Sequence, residues 1–310
     1  RTSRPSRPAA PAAWAPDMAG GAGTLANLRP ELERRLGTAV ERMPAFPKSV
    51  QKILELTRNI NCLPKDLVGV IDKDPVMTVK VLRVVNSAYY SLPYKVASVN
   101  QAVVYLGLNT VKNLALSFAA AGMLPRTNAA GFDIPRYLLH SLTTAAIARQ
   151  LAIKYAKGEV DSGDCYVAGL LHDFGKVVFA QFLAGDFRTA LDLSTREKMR
   201  LHEAEHQVIG ADHAYVGALL ATRWQFAPQL VDCIRDHHAP VVEASAIGDC
   251  LRLADLISRR QGYMADGSIA PAGDEPIPER FGSDIMTVEA ELGDLDKVVA
   301  NANLFVEAGR

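Results

Sequence analysis

The sequence predicts an all-α protein, and three observations support that class. Apolar residues recur at spacings of three and four, as in Leu67, Val70 and Ile71, which is the period of a helix with one buried face. Prolines stand where such segments begin, as at Pro64 and Pro75, and a helix tolerates proline in its first turn because that N–H has no partner there. No stretch of strand length alternates apolar and polar residues.

Four regions follow one another along the chain. Residues 1–27 are rich in Pro, Ala, Gly and Arg and show no hydrophobic period, so we expect a disordered tail or linker. The helical pattern then divides into an N-terminal helical subdomain (28–125) and a second helical subdomain (126–260). Residues 261–310 carry ten acidic residues against three basic ones. There we expect an acidic loop and then an amphipathic helix over about 286–306.

The composition excludes several classes of protein. The 34 basic residues balance the 34 acidic ones, which argues against a protein built mainly to hold DNA. The longest nearly apolar run, residues 114–124, is shorter than the roughly 18 residues of a membrane span. The four cysteines are scattered without a Cys-x-x-Cys pair, and no basic-then-apolar leader opens the chain. We therefore expect a cytoplasmic protein that neither binds DNA nor spans a membrane.

All seven histidines lie between positions 140 and 238, and histidine is the commonest metal ligand in proteins. The adjacent His172 and Asp173 follow an apolar helical segment and can present an imidazole and a carboxylate to one metal ion. Just after them, Gly175 permits a tight turn, and Lys176 supplies a point charge suited to phosphate. This short segment is therefore the first candidate site.

Two residues outside that segment carry the same chemistry. His140 lies in a predicted helix with small residues at Ala145 and Ala148, which permit close packing against a neighbouring helix. Asp255 stands alone in an apolar helical segment, where a buried carboxylate is costly unless it binds a cation. Both residues are therefore candidate metal ligands.

In this order along the chain, His140, His172, Asp173 and Asp255 resemble the His…His-Asp…Asp signature of the HD superfamily of metal-dependent phosphohydrolases. Other segments are similar to the HDOD family, the HD-related output domain of bacterial signalling proteins, over about 42–260. The similar segments are residues 43–47, 71–75, 82–88, 101–107, 210–218, 224 and 236–238. The resemblance implies an HD-domain-like helical bundle and a regulatory or protein-interaction role.

The resemblance also implies which side chains hold metal. His213, His237 and His238 stand where the related HD-GYP cyclic-di-GMP phosphodiesterases have metal-binding histidines. With the four signature residues, they suffice for two divalent ions, and iron, manganese and zinc all suit such a mixed set. The implied ligands are His140, His172, Asp173, His213, His237, His238 and Asp255.

The same resemblance suggests roles for two residues in catalysis. In two-metal hydrolysis Asp173 would bridge the ions and Lys176 would hold a phosphate. The sequence also departs from the HD-GYP pattern. No Gly-Tyr-Pro follows His238, and Arg136 stands where some HD-GYP members have a metal-binding Glu, so we expect no third ion.

Two functions from different classes follow. The family identity favours a signal-transduction output module that binds metal and acts through a signalling protein partner. The retained ligands favour a metal-dependent phosphohydrolase that takes a phosphodiester or nucleotide, such as a cyclic dinucleotide. We prefer the module. In a third interpretation the histidines serve helix packing alone and hold no metal.

A competing motif occupies residues 202–206, whose sequence His-Glu-Ala-Glu-His fits the His-Glu-x-x-His pattern of zinc proteases. Two histidines four residues apart on a helix can chelate zinc. The preceding residues 195–200 are polar, however, which is typical of a solvated helix. We therefore do not expect a protease.

Overall fold

The computed structural model of the protein describes residues 29–58, 63–239, 245–262, 277–282 and 284–309. Throughout these ranges the regular structure is helical, apart from an isolated β-bridge between Lys157 and Val160. The predicted all-α class is therefore confirmed. The predicted tail, residues 1–27, lies outside the described residues. No helix in the described ranges is long and apolar enough to cross a membrane.

Four of the first six helices begin where the sequence supplies a proline or a capping side chain. Pro30, Pro64 and Pro75 each occupy a first turn, and the Asp74 carboxylate accepts a hydrogen bond from the backbone N–H of Met77. The six helices are α1 (Pro30–Arg42), α2 (Lys48–Arg58), α3 (Pro64–Ile71), α4 (Pro75–Val85), α5 (Val99–Leu106) and α6 (Leu108–Gly122), and the four are α1, α3, α4 and α5. Helix α6 is mostly buried and contacts each of α2, α3, α4 and α5.

The next eight helices form the second half of the helical region. Aspartates open three of them, because Asp133, Asp161 and Asp212 each accept backbone N–H groups from the first turn. The eight are α7 (Ile134–Tyr155), α8 (Ser162–Leu171), α9 (Phe174–Phe182), α10 (Ala184–Glu197), α11 (Leu201–Val208), α12 (His213–Arg223), α13 (Pro228–Arg235) and α14 (Ala246–Arg260). Helix α7, at 22 residues the longest of them, packs against α8 and α14.

Glycines let neighbouring helices approach closely in this region. A Cβ added to Gly169 in α8 would lie 2.5 Å from the Cα of Ala145 in α7, so the two backbones meet where the sequence has small residues. Gly175 does not form the tight turn that we expected. It lies in the first turn of α9, where an added Cβ would lie 2.0 Å from the carbonyl oxygen of His213. Both glycines therefore bring candidate site residues together.

Helix α1 packs against the second half of the helical region. It contacts α9 and α12, and Arg223 in α12 donates hydrogen bonds to the carbonyl oxygens of Val40 (2.6 Å) and Met43 (2.7 Å). The sequence placed α1 in the subdomain 28–125. In the structure its contacts are with α9 and α12, which lie within residues 126–260.

The C-terminal region contains two helices where the sequence predicted one. Helices α15 (Ile285–Leu292) and α16 (Leu295–Gly309) are separated at Gly293, whose φ of 82° is a conformation that glycine adopts without strain. Helix α16 packs against α4, α6 and α7, and the ring of Phe305 lies 5.0 Å from that of Phe118. The C-terminal region therefore contacts both halves of the helical region.

Candidate metal centre

The seven candidate ligands come from five separate places between residues 140 and 255. They are His140 in α7, His172 and Asp173 in the turn between α8 and α9, His213 at the start of α12, His237 and His238 after α13, and Asp255 in α14. Apart from His238, which is partly buried, their side chains are between 1% and 11% exposed. The fold thus collects all seven in an enclosed region.

Three of the residues form what we call the first ligand group: His140, His172 and Asp255. The Nε2 atoms of the two histidines lie 3.4 Å apart. The Oδ1 atom of Asp255 lies 3.3 Å from Nε2 of His140 and 3.8 Å from Nε2 of His172. These three atoms converge within 4.8 Å of one another, as the ligands of one metal ion do.

The other four residues form the second ligand group: Asp173, His213, His237 and His238. Nε2 of His213 lies 3.0 Å from Oδ1 of Asp173 and 2.9 Å from Nε2 of His238. Nε2 of His237 lies 3.8 Å from the same Asp173 oxygen. These atoms also converge within 4.8 Å.

Asp173 lies between the two groups and presents one oxygen to each. Its Oδ1 faces His213 and His237 in the second group, as described above. Its Oδ2 lies 3.5 Å from Nε2 of His140 and 3.5 Å from Nε2 of His172 in the first group. This is the position that a bridging carboxylate would need.

Four of the five histidine rings in the two groups turn the same edge toward Asp173. In each of four rings, Nδ1 lies beside an oxygen atom while Nε2 faces the centre of its group. The pairs are His140 with Ser258 Oγ (3.3 Å), His172 with Gly169 O (2.9 Å), His213 with Glu205 Oε2 (2.6 Å) and His237 with Ile234 O (2.6 Å). Metal-binding histidines in proteins have this arrangement, since the outer hydrogen bond fixes the tautomer.

The protonation states of His172, His238 and Asp173 fit a divalent cation. Burial lowers the pKa of His172 to about 3 and holds the pKa of His238 well below its usual value, so both rings are neutral near pH 7. Burial raises the pKa of Asp173, but neighbouring His172, Lys176 and His213 outweigh burial and lower it overall. Nε2 of His237 is buried and has no hydrogen-bond partner among the described residues. Neutral imidazoles and an ionised carboxylate are the forms that bind metal.

Comparison with known proteins identifies the family. The HDOD domain family matches residues 43–240. The chain belongs to this family. A crystal structure of an HDOD domain protein of unknown function from Geobacter sulfurreducens is 25% identical and covers 89% of this chain and 98% of its own, with a TM-score of 0.73.

Two further structures share the HDOD fold of this chain. A candidate signal transduction protein from Marinobacter aquaeolei VT8 is 24% identical, with a TM-score of 0.71 over 88% of this chain and 65% of its own. A candidate phosphohydrolase from Shewanella amazonensis SB2B is 23% identical, with a TM-score of 0.63 over 89% of this chain and 97% of its own. An uncharacterized protein of Treponema pallidum (strain Nichols) is 26% identical over 211 residues. That match covers 67% of this chain and 40% of the relative's length.

Two basic side chains contact the carboxylates of the HDOD site. Nζ of Lys176 donates a hydrogen bond to Oδ2 of Asp173 at 2.7 Å, and both side chains are buried. Nε of Arg259 donates to Oδ2 of Asp255 at 3.0 Å. Burial raises the pKa of Asp255, but Arg259 and His140 outweigh burial and lower it. Each of these carboxylates is therefore ionised beside a cation.

The His-Glu-Ala-Glu-His motif lies in α11, beside the second ligand group. The ring of His202 stacks on that of His238, with centroids 4.2 Å apart, while His206 lies 3.0 Å from Oδ2 of Asp212. Neither His202 nor His206 belongs to a converging group of three or more ligand atoms in the part of the chain that the structure describes. The two histidines therefore have different partners, which gives no support to the zinc-protease pattern.

Sequence reasoning overlooked Glu205, which is fully buried and accepts hydrogen bonds from His213. The motif drew attention to the neighbouring Glu203, because that residue directly follows the first histidine. Glu203 is exposed and accepts the backbone N–H of Arg200 at the start of α11. A pattern of residue types could not decide which of the two glutamates faces inward, since packing against α12 sets the rotation of the helix.

Proposed function

We propose that this HDOD domain is a signal-transduction output module that holds two divalent metal ions and acts through a signalling protein partner. The first ligand group would hold one ion, the second group the other, and Asp173 would bridge them. Iron, manganese and zinc all suit a mixed set of imidazoles and carboxylates. The observation that carries the proposal is the pair of converging groups that share Asp173. As a module of this kind it would work in the cytoplasm.

The enclosure of the ligands favours a regulatory role over turnover. The side chains of His140, His172, Asp173, His213 and His237 are at most 3% exposed. A phosphodiester would have to displace these side chains, or the elements around them, to reach an ion bound among them. Ions held in this way would chiefly fix the relative positions of α7, α8, α12 and α14, and hence the surface offered to a partner.

A second candidate function, a metal-dependent phosphohydrolase, is favoured by Lys176. Its buried ammonium group lies 2.7 Å from Asp173, close enough to contact a phosphate that approached the bridging carboxylate. The substrate would be a phosphodiester or nucleotide, such as a cyclic dinucleotide. A bound metal pair would stabilise the developing charge on phosphoryl oxygens. Asp173 and Lys176 would then be the catalytic residues.

Elemental analysis tests the metal site directly. Protein purified without chelator and with air excluded should contain about two equivalents of iron, manganese or zinc per chain. The double variant His172→Ala/Asp173→Ala should lose both, since it removes one ligand of the first group and the shared carboxylate. His206→Ala is the matched control, because His206 belongs to neither group and should leave the metal content unchanged. A folded wild-type protein without metal would refute the proposal and leave the histidines as packing residues.

A hydrolysis assay separates the two functions. The loaded wild-type protein is given bis-(p-nitrophenyl) phosphate and, separately, a cyclic dinucleotide. We expect no turnover above that of Asp173→Ala, because the ligands are enclosed. Turnover by the wild type that disappears in Asp173→Ala, with an unchanged helical circular-dichroism spectrum, would establish the phosphohydrolase instead.

A further inference from the structure

We infer that Glu205 is a positioning residue that aims His213 at the ion of the second ligand group. The inference rests on the proposed function, since it concerns the same metal site. It also assigns a role to one residue of the His-Glu-Ala-Glu-His motif in α11, for which the zinc-protease interpretation found no support. The argument depends on where the Glu205 carboxylate lies and on what it holds.

The Glu205 carboxylate binds His213 at two points. One oxygen, Oε2, accepts the backbone N–H of His213 at 2.8 Å and lies 2.6 Å from Nδ1 of its ring. Because His213 is the first residue of α12, this single oxygen fixes both the start of the helix and the direction of the side chain. The carboxylate also lies at the positive end of the helix dipole, which favours an anion.

The second contact determines which ring nitrogen remains for a metal. With the Nδ1 proton donated to Glu205, the only lone pair that His213 can offer is on Nε2. Nε2 is the atom that lies 3.0 Å from Asp173 Oδ1 and 2.9 Å from His238 Nε2. Loss of the Glu205 acceptor would free the ring to rotate or to exchange its tautomer, and either change would remove a ligand from the second group.

Glu205 differs from the other acceptors that hold the site histidines. The Nδ1 atoms of His172 and His237 face backbone carbonyls, and that of His140 faces the Ser258 hydroxyl. The oxygen that lies beside Nδ1 of His213, by contrast, belongs to a carboxylate. A carboxylate makes the ring a stronger donor to metal than a neutral acceptor does.

The burial of Glu205 also bears on how strongly its carboxylate favours metal binding. The residue is 0% exposed, and its second oxygen, Oε1, has no hydrogen-bond partner among the described residues. A buried carboxylate with an unpaired oxygen is costly, and a divalent cation on the other side of His213 would offset part of that cost. We therefore expect the carboxylate to strengthen metal binding at the second ligand group and to have little effect at the first.

Three variants test the inference, with Zn²⁺ as the probe and chelator competition as the measure of affinity. Glu205→Leu removes both the hydrogen bonds and the charge, and it should weaken one of the two Zn²⁺ sites by about 10- to 100-fold while the other is unchanged. Glu205→Gln keeps an oxygen acceptor of similar shape and should lie between Glu205→Leu and the wild type. Glu203→Gln is the matched control, because that exposed side chain lies two residues away from Glu205. The Glu203→Gln protein should bind both ions as the wild type does.

A second readout distinguishes positioning from a general structural role. The rise in Tm on adding Zn²⁺ should be smaller in Glu205→Gln than in the wild type, whereas a residue that only supports the fold would lower Tm equally with and without metal. Two wild-type-like Zn²⁺ sites in both Glu205 variants would overturn this inference and leave the proposed function intact. A wild-type protein that binds no Zn²⁺ would overturn both.

Discussion

His172 and His237 use the same local device to direct their rings. In each case Nδ1 faces the carbonyl three residues earlier, Gly169 for one and Ile234 for the other, at the end of the preceding helix. Carbonyls in a last helical turn have no partner within the helix, so each is free to accept the ring proton. The backbone therefore selects the tautomer that leaves Nε2 for a ligand. Substitution of neighbouring side chains cannot remove these two acceptors.

We predict that metal binding depends on pH, because His213 must release a proton when it binds an ion. Burial lowers the pKa of His213, but the Glu205 and Asp173 carboxylates outweigh burial and raise it to about 10. Below that pH the metal-free ring carries a second proton on Nε2, which a metal ion must displace. We expect the affinity of the second ligand group for Mn²⁺ to rise by up to about tenfold per pH unit between pH 7 and 9, because one proton leaves per ion bound.

The first ligand group is the control for this measurement. Burial lowers the pKa of His172 to about 3, so the first group has no such proton to release from that ring. Titration of Mn²⁺ into His140→Ala reports on the second group, and titration into His238→Ala reports on the first. A flat pH profile in His140→Ala would contradict the prediction.

At the scale of elements, the α7–α8 crossing holds His140 beside the turn that carries His172 and Asp173. The two helices touch backbone to backbone, since a Cβ on Gly169 would lie 2.5 Å from Cα and 2.6 Å from N of Ala145. Neither of these backbone atoms can move without shifting its helix. The distance between His140 and His172 in the first ligand group therefore depends on the absence of a side chain at Gly169.

Gly169→Ala should destabilise the protein and disturb the site together. We expect a loss of about 1–3 kcal/mol in the free energy of unfolding, because an added methyl group must separate the helices. Urea unfolding of the metal-free protein measures this loss. Gly185→Ala in α10 is the control, because its added Cβ would meet no atom within 4 Å and should leave stability unchanged or raise it by about 0.5–1 kcal/mol. Equal stability of the two variants would exclude the close approach as a stabilising feature.

Sequence patterns predicted much at this scale because helix starts are local. Pro64, Pro75 and Asp74 act in the first turn of their own helices, so their effect is visible in the sequence. The break at Gly293 was missed, because the apolar spacing continues on both sides of it. The position of α1 was also not predictable, since it depends on Arg223 and the α12 surface, far away in the sequence.

For the candidate site, the sequence predicted the seven candidate ligands but not the residues that hold their rings in position. All seven predicted ligands lie in the two ligand groups. The ring nitrogens are held by the hydroxyl of Ser258 and by the backbone carbonyls of Gly169 and Ile234. Serines are common, and every residue has a backbone carbonyl. Their role depends on three-dimensional placement. No spacing rule could have selected them.

At the scale of the whole molecule, α16 links the two halves of the helical region. It contacts α4 and α6 on one side and α7 on the other. Phe305 contributes to this contact, since its side chain is buried and its ring packs on that of Phe118 in α6. The C-terminal region therefore stabilises elements that are distant from it in the sequence.

Phe305→Ala should lower the free energy of unfolding by about 3–5 kcal/mol, because it leaves a cavity between α16 and α6. Asn303→Ala, an exposed position on the same helix, is the control and should change stability by less than about 0.5 kcal/mol. Chemical denaturation followed by circular dichroism measures both. A Phe305→Ala variant as stable as Asn303→Ala would show that α16 contributes little to the fold.

The order in which the ligands appear along the chain bears on how the protein matures. His140 is made first, and Asp255 is made after all the others, in a helix that packs against α7, α8 and α13. A growing chain that has not yet released α14 has an incomplete first ligand group. Capture of an ion by the first ligand group would thus follow the synthesis and docking of α14. The second ligand group, whose last residue along the chain is His238, would be complete before that step.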